Sequence, residues 1–215
     1  KRYSARFNFD SKIKSWLKVG GNLSYNNQKE NIVDQGTGGL NSVRMITEAF
    51  PFLPIKLADG KWGDNKLIPW AEGGSNPVHI LTDQKYGVIT QTLLGSLYSS
   101  ISLTKDLEFR TQLGSNVVTR NVNEYNAKLL YGISDGQNGT ANITDSRETF
   151  WSIENYLTYN KRIAESHAIN ALLGISWQET NFFSSTAHAE NFVTDFYQEN
   201  NLGSGSKSIT VGSNR

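Results

Sequence analysis

Apolar and polar side chains alternate along several stretches of the chain, which is the pattern of β-strands whose two faces meet different surroundings. The clearest run is residues 3–10, where Tyr3, Phe7 and Phe9 share one face and Arg6 and Asn8 lie on the other. Similar runs cover about residues 16–27, 87–103, 107–120, 149–160 and 167–182. The pattern therefore predicts an all-β fold of about six strands.

The connections between these strands alternate in length. Short polar turns are predicted at residues 10–14, 104–106 and 160–166, which gives antiparallel hairpins at about 3–27, 87–120 and 149–182. Long loops are predicted at about 28–84, 121–146 and 183–215. Short turns at one end and long loops at the other are typical of outer-membrane β-barrels. We predict an antiparallel up-and-down transmembrane barrel segment whose long loops are extracellular.

Strand length supports a membrane setting. The run at 87–103 exceeds the 5–6 residues usual in soluble sheets, whereas a tilted membrane strand needs about 9–11. No apolar run approaches the roughly 18 residues of a transmembrane helix. A closed barrel is the other structure that satisfies every backbone polar group in hydrocarbon. The chain opens at Lys1 within a strand-like run, so we interpret residues 1–215 as one partial barrel domain of a longer protein.

Large aromatic residues recur near the predicted strand ends, on the apolar faces. Such positions suit the aromatic girdles at the two interfaces of a membrane barrel. Aromatic residues are also good strand formers, so the same positions are open to a purely local explanation. The residues are Trp16, Tyr25, Trp151, Tyr159 and Trp177.

The first long loop has organisation of its own. A helix is predicted at residues 41–50, with Val43, Ile46 and Phe50 on one side, and the Asp-Gly pair at 59–60 predicts a turn. Four aromatic residues of this loop could stack on sugar rings or contact peptide side chains. They could instead form a small core of the loop itself or pack against a partner lid, which is the interpretation we favour. They are Phe50, Phe52, Trp62 and Trp70.

Composition excludes several functions. The net charge is +1 and the cysteine count is zero, so the chain offers no basic surface for nucleic acid, no disulfide framework and no thiolate. His79, His167 and His188 lack the spacing of metal ligands, and no nucleophile motif is present. We therefore predict a non-enzyme without cofactor or metal, and a β-rich hydrolase lacks any recognisable catalytic set.

Three runs of residues resemble one known family. The runs are 2–10 followed by 13–25, then 51–54 leading into 58–62, and finally 151–159 followed by 167–174. Together they resemble, in order, the early barrel of SusC/RagA-type TonB-dependent transporters. The resemblance covers roughly the first 180 residues, and it supplies no universal ligand residue for this chain.

The resemblance implies a parent barrel of about 22 strands in the outer membrane of a Gram-negative, Bacteroidetes-like bacterium. Such a parent imports oligosaccharides or peptides with energy from the TonB complex and works beneath a SusD-like surface lipoprotein. This chain would contribute strands that meet membrane lipid and loops that meet the substrate and the lipoprotein. A soluble all-β carbohydrate-binding module is the alternative, since it also has alternating strands and exposed tryptophans.

Overall fold

One antiparallel sheet forms the body of the protein in the computed structural model, which describes residues 1–33, 42–70, 74–130, 138–164 and 167–214. Within these ranges the sheet has seven strands in chain order, each hydrogen-bonded to the next. The strands are β1 Arg2–Lys14, β2 Leu17–Asn31, β3 Gln84–Ser102, β4 Leu107–Asn126, β5 Thr140–Ala164, β6 His167–Phe192 and β7 Gly205–Asn214.

Short helices occupy the loops. They are α1 Ser42–Glu48 and α2 Pro77–Asp83, with 3₁₀ turns at Asn65–Leu67, Gln198–Asn200 and Leu202–Ser204. Among the described residues, no helix is both long enough and apolar enough to cross a bilayer.

The strand register gives the sheet two chemically different faces. Phe7 pairs with Leu23 and Leu97 with Leu113, and the residues that alternate with them are mostly polar. The large side chains of the apolar face are exposed; Phe7, for example, is 62% exposed and Trp177 is 71% exposed. Such a face requires apolar surroundings, because apolar surface in water costs about 25 cal/mol per Å². The sheet is a curled, antiparallel, up-and-down barrel segment, as the sequence predicted.

The exposed apolar side chains of this face form a band, here called the apolar band, that crosses the sheet obliquely. In β1 its aromatic residues run from Tyr3 to Phe9, and in β6 an unbroken apolar run on this face covers Ile169 to Trp177. Phe9 lies at the short-turn end of the aromatic run in β1, and Trp177 lies at the long-loop end of the apolar run in β6. Cross-strand pairing puts these two residues in the same row, so the band shifts along the strand direction between β1 and β6. A band that slides along the strands in this way is the consequence of strand tilt in a barrel.

Aromatic residues border this band. Toward the long loops, Tyr3 and Tyr25 end the band in the first hairpin, and Trp151 and Trp177 end it in β5 and β6. Toward the short turns, Tyr159 lies near its other limit. This placement agrees with the girdle interpretation of these positions.

The first predicted turn was misplaced. Residues 10–14 belong to β1, and the hairpin turns at residues 15–16, with Lys14 opposite Leu17. Alternating polar residues on a wet barrel face look like a polar turn in sequence, which explains the error. The turn at 104–106 lies between β3 and β4 as predicted. The predicted turn at 160–166 was also misplaced, because residues 160–164 extend β5, and residues 165–166 are outside the described ranges.

The strands are longer and more numerous than the alternation predicted. Residues 121–126, 140–146 and 183–192 were assigned to loops but extend β4, β5 and β6, and β6 reaches 26 residues, roughly 85 Å at 3.3 Å each. The Gly/Ser-rich segment after residue 204 forms β7 against β6. The apolar–polar alternation fades in these segments while backbone pairing continues.

Candidate functional site

The loops meet at one end of the sheet and share a hydrophobic core. Its members come from α1, α2, the segment after β4 and the upper parts of β4, β5 and β6. Leu130, Ala141, Ala189 and Phe192 are fully buried there. The core comprises Met45, Ile80, Tyr125, Ala127, Leu130, Ala141, Ala189 and Phe192, with Leu202 packed against it. This loop core holds all the long connections as one assembly.

The first loop folds as the sequence predicted, with one difference. Helix α1 lies within the predicted 41–50, although Asn41 is outside the described residues. The residue of α1 that enters the core is Met45, whereas Val43 and Ile46 are 53% and 61% exposed. The Asp-Gly turn is confirmed, since Gly60 has φ of +83° and donates its N–H to the Leu57 carbonyl.

A buried carboxylate–histidine contact fastens this loop to α2. The Asp64 carboxylate lies 3.0 and 3.1 Å from Nδ1 of His79, and both side chains are at most 2% exposed. Asp64 also accepts the backbone N–H of Asn76 at 2.6 Å. Asn76 caps α2 by accepting the His79 N–H at 2.8 Å, and Pro77 follows at the first helical position. Fifteen residues separate Asp64 and His79 in sequence, so their contact closes the loop.

Trp62, a predicted contact residue, belongs to this buried arrangement. Its ring stacks on His79 with centroids 4.5 Å apart, and Lys56 Nζ lies 2.9 Å from the Trp62 centroid. Its indole N–H donates to Asp83 at 3.1 Å. The same Asp83 oxygen lies 3.3 Å from Nε2 of His79, outside good hydrogen-bond geometry. Trp62 is thus mainly a packing residue of the loop.

The other three predicted contact residues lie together. Phe50 is 5.4 Å from Phe52 and 5.5 Å, edge to face, from Trp70. Trp70 and Phe52 nevertheless keep 73% and 65% of their surface exposed. A cleft of about 110 Å³ adjoins Phe50 and is bordered by Leu53 and Val78. This aromatic trio therefore combines internal ring contacts with an open surface that could receive a ligand or a protein.

A second set of contacts ties the segment after β6 to the rim of the sheet. Tyr125 packs edge to face on Phe192 at 5.6 Å and donates its hydroxyl to Asp195 at 2.5 Å. Burial, and then this hydrogen bond, raise the pKa of Tyr125, which lies beyond the apolar band. Lys85 forms an ion pair of 2.6 Å with Glu199, whose side chain is 9% exposed. These contacts hold the third loop in place.

The polar face of the sheet carries a ladder of hydrogen-bonding side chains. Tyr98 donates its hydroxyl to Asp10, and the guanidinium of Arg110 lies 4.3 Å above the Tyr98 ring. Farther along the same face, Tyr156 donates to Glu154 at 2.7 Å. Such groups, fixed but open to water, are suited to a wet lumen rather than to a protein core.

Sequence reasoning missed the residues that organise the site. Asp64, His79 and Asp195 were not predicted to organise the loops, because each acts through a partner distant in sequence. The pair Asn76-Pro77 was a usable signal, since Asn followed by Pro marks a helix start. Across the described ranges, no cluster of three or more metal-binding side chains occurs.

Comparison with known sequences points to one group of proteins. No family model matches the chain. TonB-dependent receptor P3 of Formosa agariphila is 28% identical over 99% of this chain, and TonB-dependent receptor P26 of the same organism is 27% identical over 94%. The aligned region is 21% and 20% of those proteins, so the chain spans about a fifth of the length of the curated relatives it matches.

Comparison with solved structures supports the same fold. The RagAB peptide transporter matches with a TM-score of 0.73 and 20% identity, over 99% of this chain and 24% of the other. The closed-closed state of the RagAB peptide importer matches with a TM-score of 0.74 and 21% identity. The resemblance to a SusC/RagA-type TonB-dependent receptor barrel is thereby confirmed. The names of these proteins are those of receptors and importers rather than enzymes.

Proposed function

We propose that this chain is a barrel segment of a TonB-dependent active importer in the outer membrane of a Gram-negative, Bacteroidetes-like bacterium. The observation that carries the proposal is the sheet with an exposed apolar face and a ladder of polar groups on the other. One face would contact lipid and the other would line the lumen. The likeness to TonB-dependent receptors and to an importer barrel supports this placement.

The loop assembly would receive the cargo and the partner. Its position at the long-loop end is that of the extracellular mouth of a barrel. The exposed surface of Phe52 and Trp70 suits contact with an oligosaccharide or peptide, or with a SusD-like surface lipoprotein. Energy would come from the TonB complex through parts of the parent protein outside this chain, and no chemical conversion is proposed.

The soluble binding-module alternative conflicts with the apolar face. A soluble sheet of this kind would leave Leu173, Ile175 and Trp177, each at least 66% exposed, in water. Monomeric soluble proteins rarely expose apolar patches of more than a few hundred Å². Membrane fractionation of the parent protein tests this directly, because a soluble module would be released by high salt and a barrel would stay with the membrane.

Uptake assays test the transport proposal. Cells lacking the parent gene, and complemented with it, would be given labelled oligosaccharides and labelled peptides, with and without functional TonB. We expect uptake of one cargo class that requires both the gene and TonB. Uptake that continues without TonB would contradict active import, and binding without uptake would favour a surface binding protein.

The aromatic trio can be tested in the same cells. Loss of one stacking contact corresponds to about 0.5–1.5 kcal/mol, so Trp70→Ala is expected to weaken cargo capture about two- to tenfold. Phe196→Ala is a matched control, because Phe196 is an 81% exposed aromatic residue of the third loop. Equal effects of both substitutions would contradict a specific role for the trio.

A further inference from the structure

We infer that the outward face of β1–β6 carries a binding site for a phosphorylated glycolipid, with its headgroup at Arg147 and an acyl chain at Gly95 and Ser115. This inference rests on the proposed membrane placement of the sheet but not on transport. Two neighbouring depressions in the outward face form the site, one polar and one apolar. Their order along the strands matches the order of headgroup and chain in a lipid.

The polar depression lies just beyond the apolar band, toward the long loops. It has a volume of about 480 Å³. Cross-strand pairing aligns Gln91, Thr119 and Arg147 with Phe183 in one row of the outward face. The neighbouring row adds Asn121 and Asp145. Its outward-facing lining is Ile89, Gln91, Thr119, Asn121, Asp145, Arg147 and Phe183.

Arg147 gives this depression an available positive charge. The side chain is exposed, and within the described part of the chain it has no hydrogen bond or ion pair. The nearby Asp145 carboxylate instead accepts a hydrogen bond of 2.6 Å from Asn121. An arginine held at the edge of a lipid-facing band is complementary to a phosphate group, which it can bind through two parallel hydrogen bonds.

The other groups of the depression favour a sugar over a simple phospholipid headgroup. Asp145 can only accept hydrogen bonds, and Gln91, Thr119 and Asn121 can both donate and accept. The hydroxyls of a disaccharide supply several donors for the carboxylate, whereas a phosphodiester alone supplies none and the glycerol of phosphatidylglycerol supplies two. Phe183, 44% exposed, offers an apolar wall at one side.

The apolar depression lies farther down the same strands. It has a volume of about 420 Å³, and Gly95 and Ser115, which pair across β3 and β4, form its floor. Its walls include Phe7, Leu23 and Leu113. Gly95 is four residues from Gln91, or roughly 13 Å along β3. A lipid whose phosphate contacts Arg147 can therefore place a saturated chain in this groove, where two small residues leave room.

Native mass spectrometry of the full-length parent protein, released from neutral detergent, tests the site. The probe is a monophosphorylated, acylated glucosamine disaccharide. The comparison arms are the same glycolipid without phosphate, phosphatidylglycerol and inorganic phosphate. We expect the phosphorylated glycolipid to bind most tightly, and Arg147→Gln to weaken it about tenfold or more, as for loss of a hydrogen bond to a charged group.

Two further variants separate the parts of the site. Ser115→Leu fills the groove and should reduce retention of the acylated probe severalfold, while a leucine on the lipid-facing side leaves barrel folding intact. Arg6→Gln is the control, because Arg6 is an exposed arginine of β1 on the opposite face and does not line the depression. It should leave binding unchanged. Heat-modifiable migration on SDS gels confirms that each variant is folded.

Several outcomes would overturn the inference. They are unchanged binding by Arg147→Gln, equal binding of the dephosphorylated glycolipid or of phosphatidylglycerol, and full competition by inorganic phosphate at the probe concentration. Normal TonB-dependent uptake alongside any of these results would remove the lipid site and leave the proposed function standing. Failure of the parent protein to fractionate with membranes would remove both.

Discussion

Hydrophobic side chains are exposed in the apolar band of the sheet and buried in the loop core at its end. In the band, Leu173 and Trp177 each keep 71% of their surface exposed. In the loop core, Leu130 and Phe192 are fully buried although they lie in or beside irregular segments. Loops of a soluble domain usually run over a core formed by its strands, whereas here the loops contain the core.

The difference shows where the stability of each region comes from. The loop assembly is stabilised by its own packing and by contacts such as the Asp64–His79 pair. The strands are stabilised by backbone pairing within the sheet and by surroundings outside the chain, which in a barrel are lipid and neighbouring strands. Substitutions that act on one region should therefore leave the other nearly unchanged.

Removal of the buried carboxylate should have the largest effect on the loop assembly. Asp64→Ala leaves both His79 Nδ1 and the Asn76 N–H without their partner, and each hydrogen bond lost to the carboxylate contributes about 1.5–3 kcal/mol. We expect hydrogen exchange of residues 42–83 in the full-length protein to accelerate strongly, while exchange in β3 and β4 stays slow. Asp59→Ala, at an exposed carboxylate of the same loop, is the control and should change exchange little. Acceleration throughout the sheet would show that the two regions are not independent.

A charge on the apolar band should have the next largest effect, and it should act on the sheet. Leu113→Arg places a cation in the middle of the outward face of β4, for which about 2–4 kcal/mol is expected at the bilayer midplane. Gln112→Arg puts the same charge one residue away on the polar face and should cost much less. Folding titrations into lipid vesicles measure both variants. Equal losses would contradict the assignment of the two faces.

The sequence predicted the band far better than the loop core. Alternation is a local signal, so Tyr3, Phe7 and Phe9 identify the outward face of β1 without any knowledge of the neighbouring strands. The same reasoning placed the hairpins, the helix at 42–48 and the Asp-Gly turn. It failed at residues 10–14, at residues 160–164 and after residue 183, where polar residues on strands resemble those of a loop.

The loop core depends on contacts that no local pattern reports. Tyr125 and Phe192 meet across a sequence separation of 67 residues, and Met45 and Ile80 join them from two separate helices. Val43 and Ile46 look equally suited to burial, and only the position of α1 on its neighbours decides that Met45 is the buried residue. For the same reason the sequence indicated all four aromatic residues of the first loop as contact candidates. It could not show that Trp62 is packed within the loop while Phe52 and Trp70 stay exposed.

Steric crowding on the polar face provides a smaller test of the sheet. A Cβ at Gly20 would lie 2.7 Å from the Tyr98 ring and closer still to the Asp10 carboxylate, so Gly20→Ala must displace that hydrogen-bonded pair. Overpacking of this kind typically costs about 1–3 kcal/mol. Gly212→Ala is the control, because a Cβ at this position of β7 would meet no atom within 4 Å. Vesicle folding assays should show a loss for Gly20→Ala only, with hydrogen exchange of the loop core unchanged.

Ionisation of Tyr125 should give the smallest effect, confined to the loop core. Because burial and the bond to Asp195 raise the pKa of Tyr125, the folded state favours the neutral phenol. The stabilisation is complete below the ordinary value of 10.0 and is lost as the pH rises above it. Loop-core fluorescence should therefore report loosening above about pH 10. Tyr125→Phe should lose about 0.5–1.5 kcal/mol at neutral pH and this alkaline transition, whereas Tyr3→Phe, at a 68% exposed tyrosine of the band, should retain the transition. An unchanged transition in Tyr125→Phe would mean that another group controls the alkaline stability of the loops, and that their core does not depend on the contact between β4 and the segment after β6.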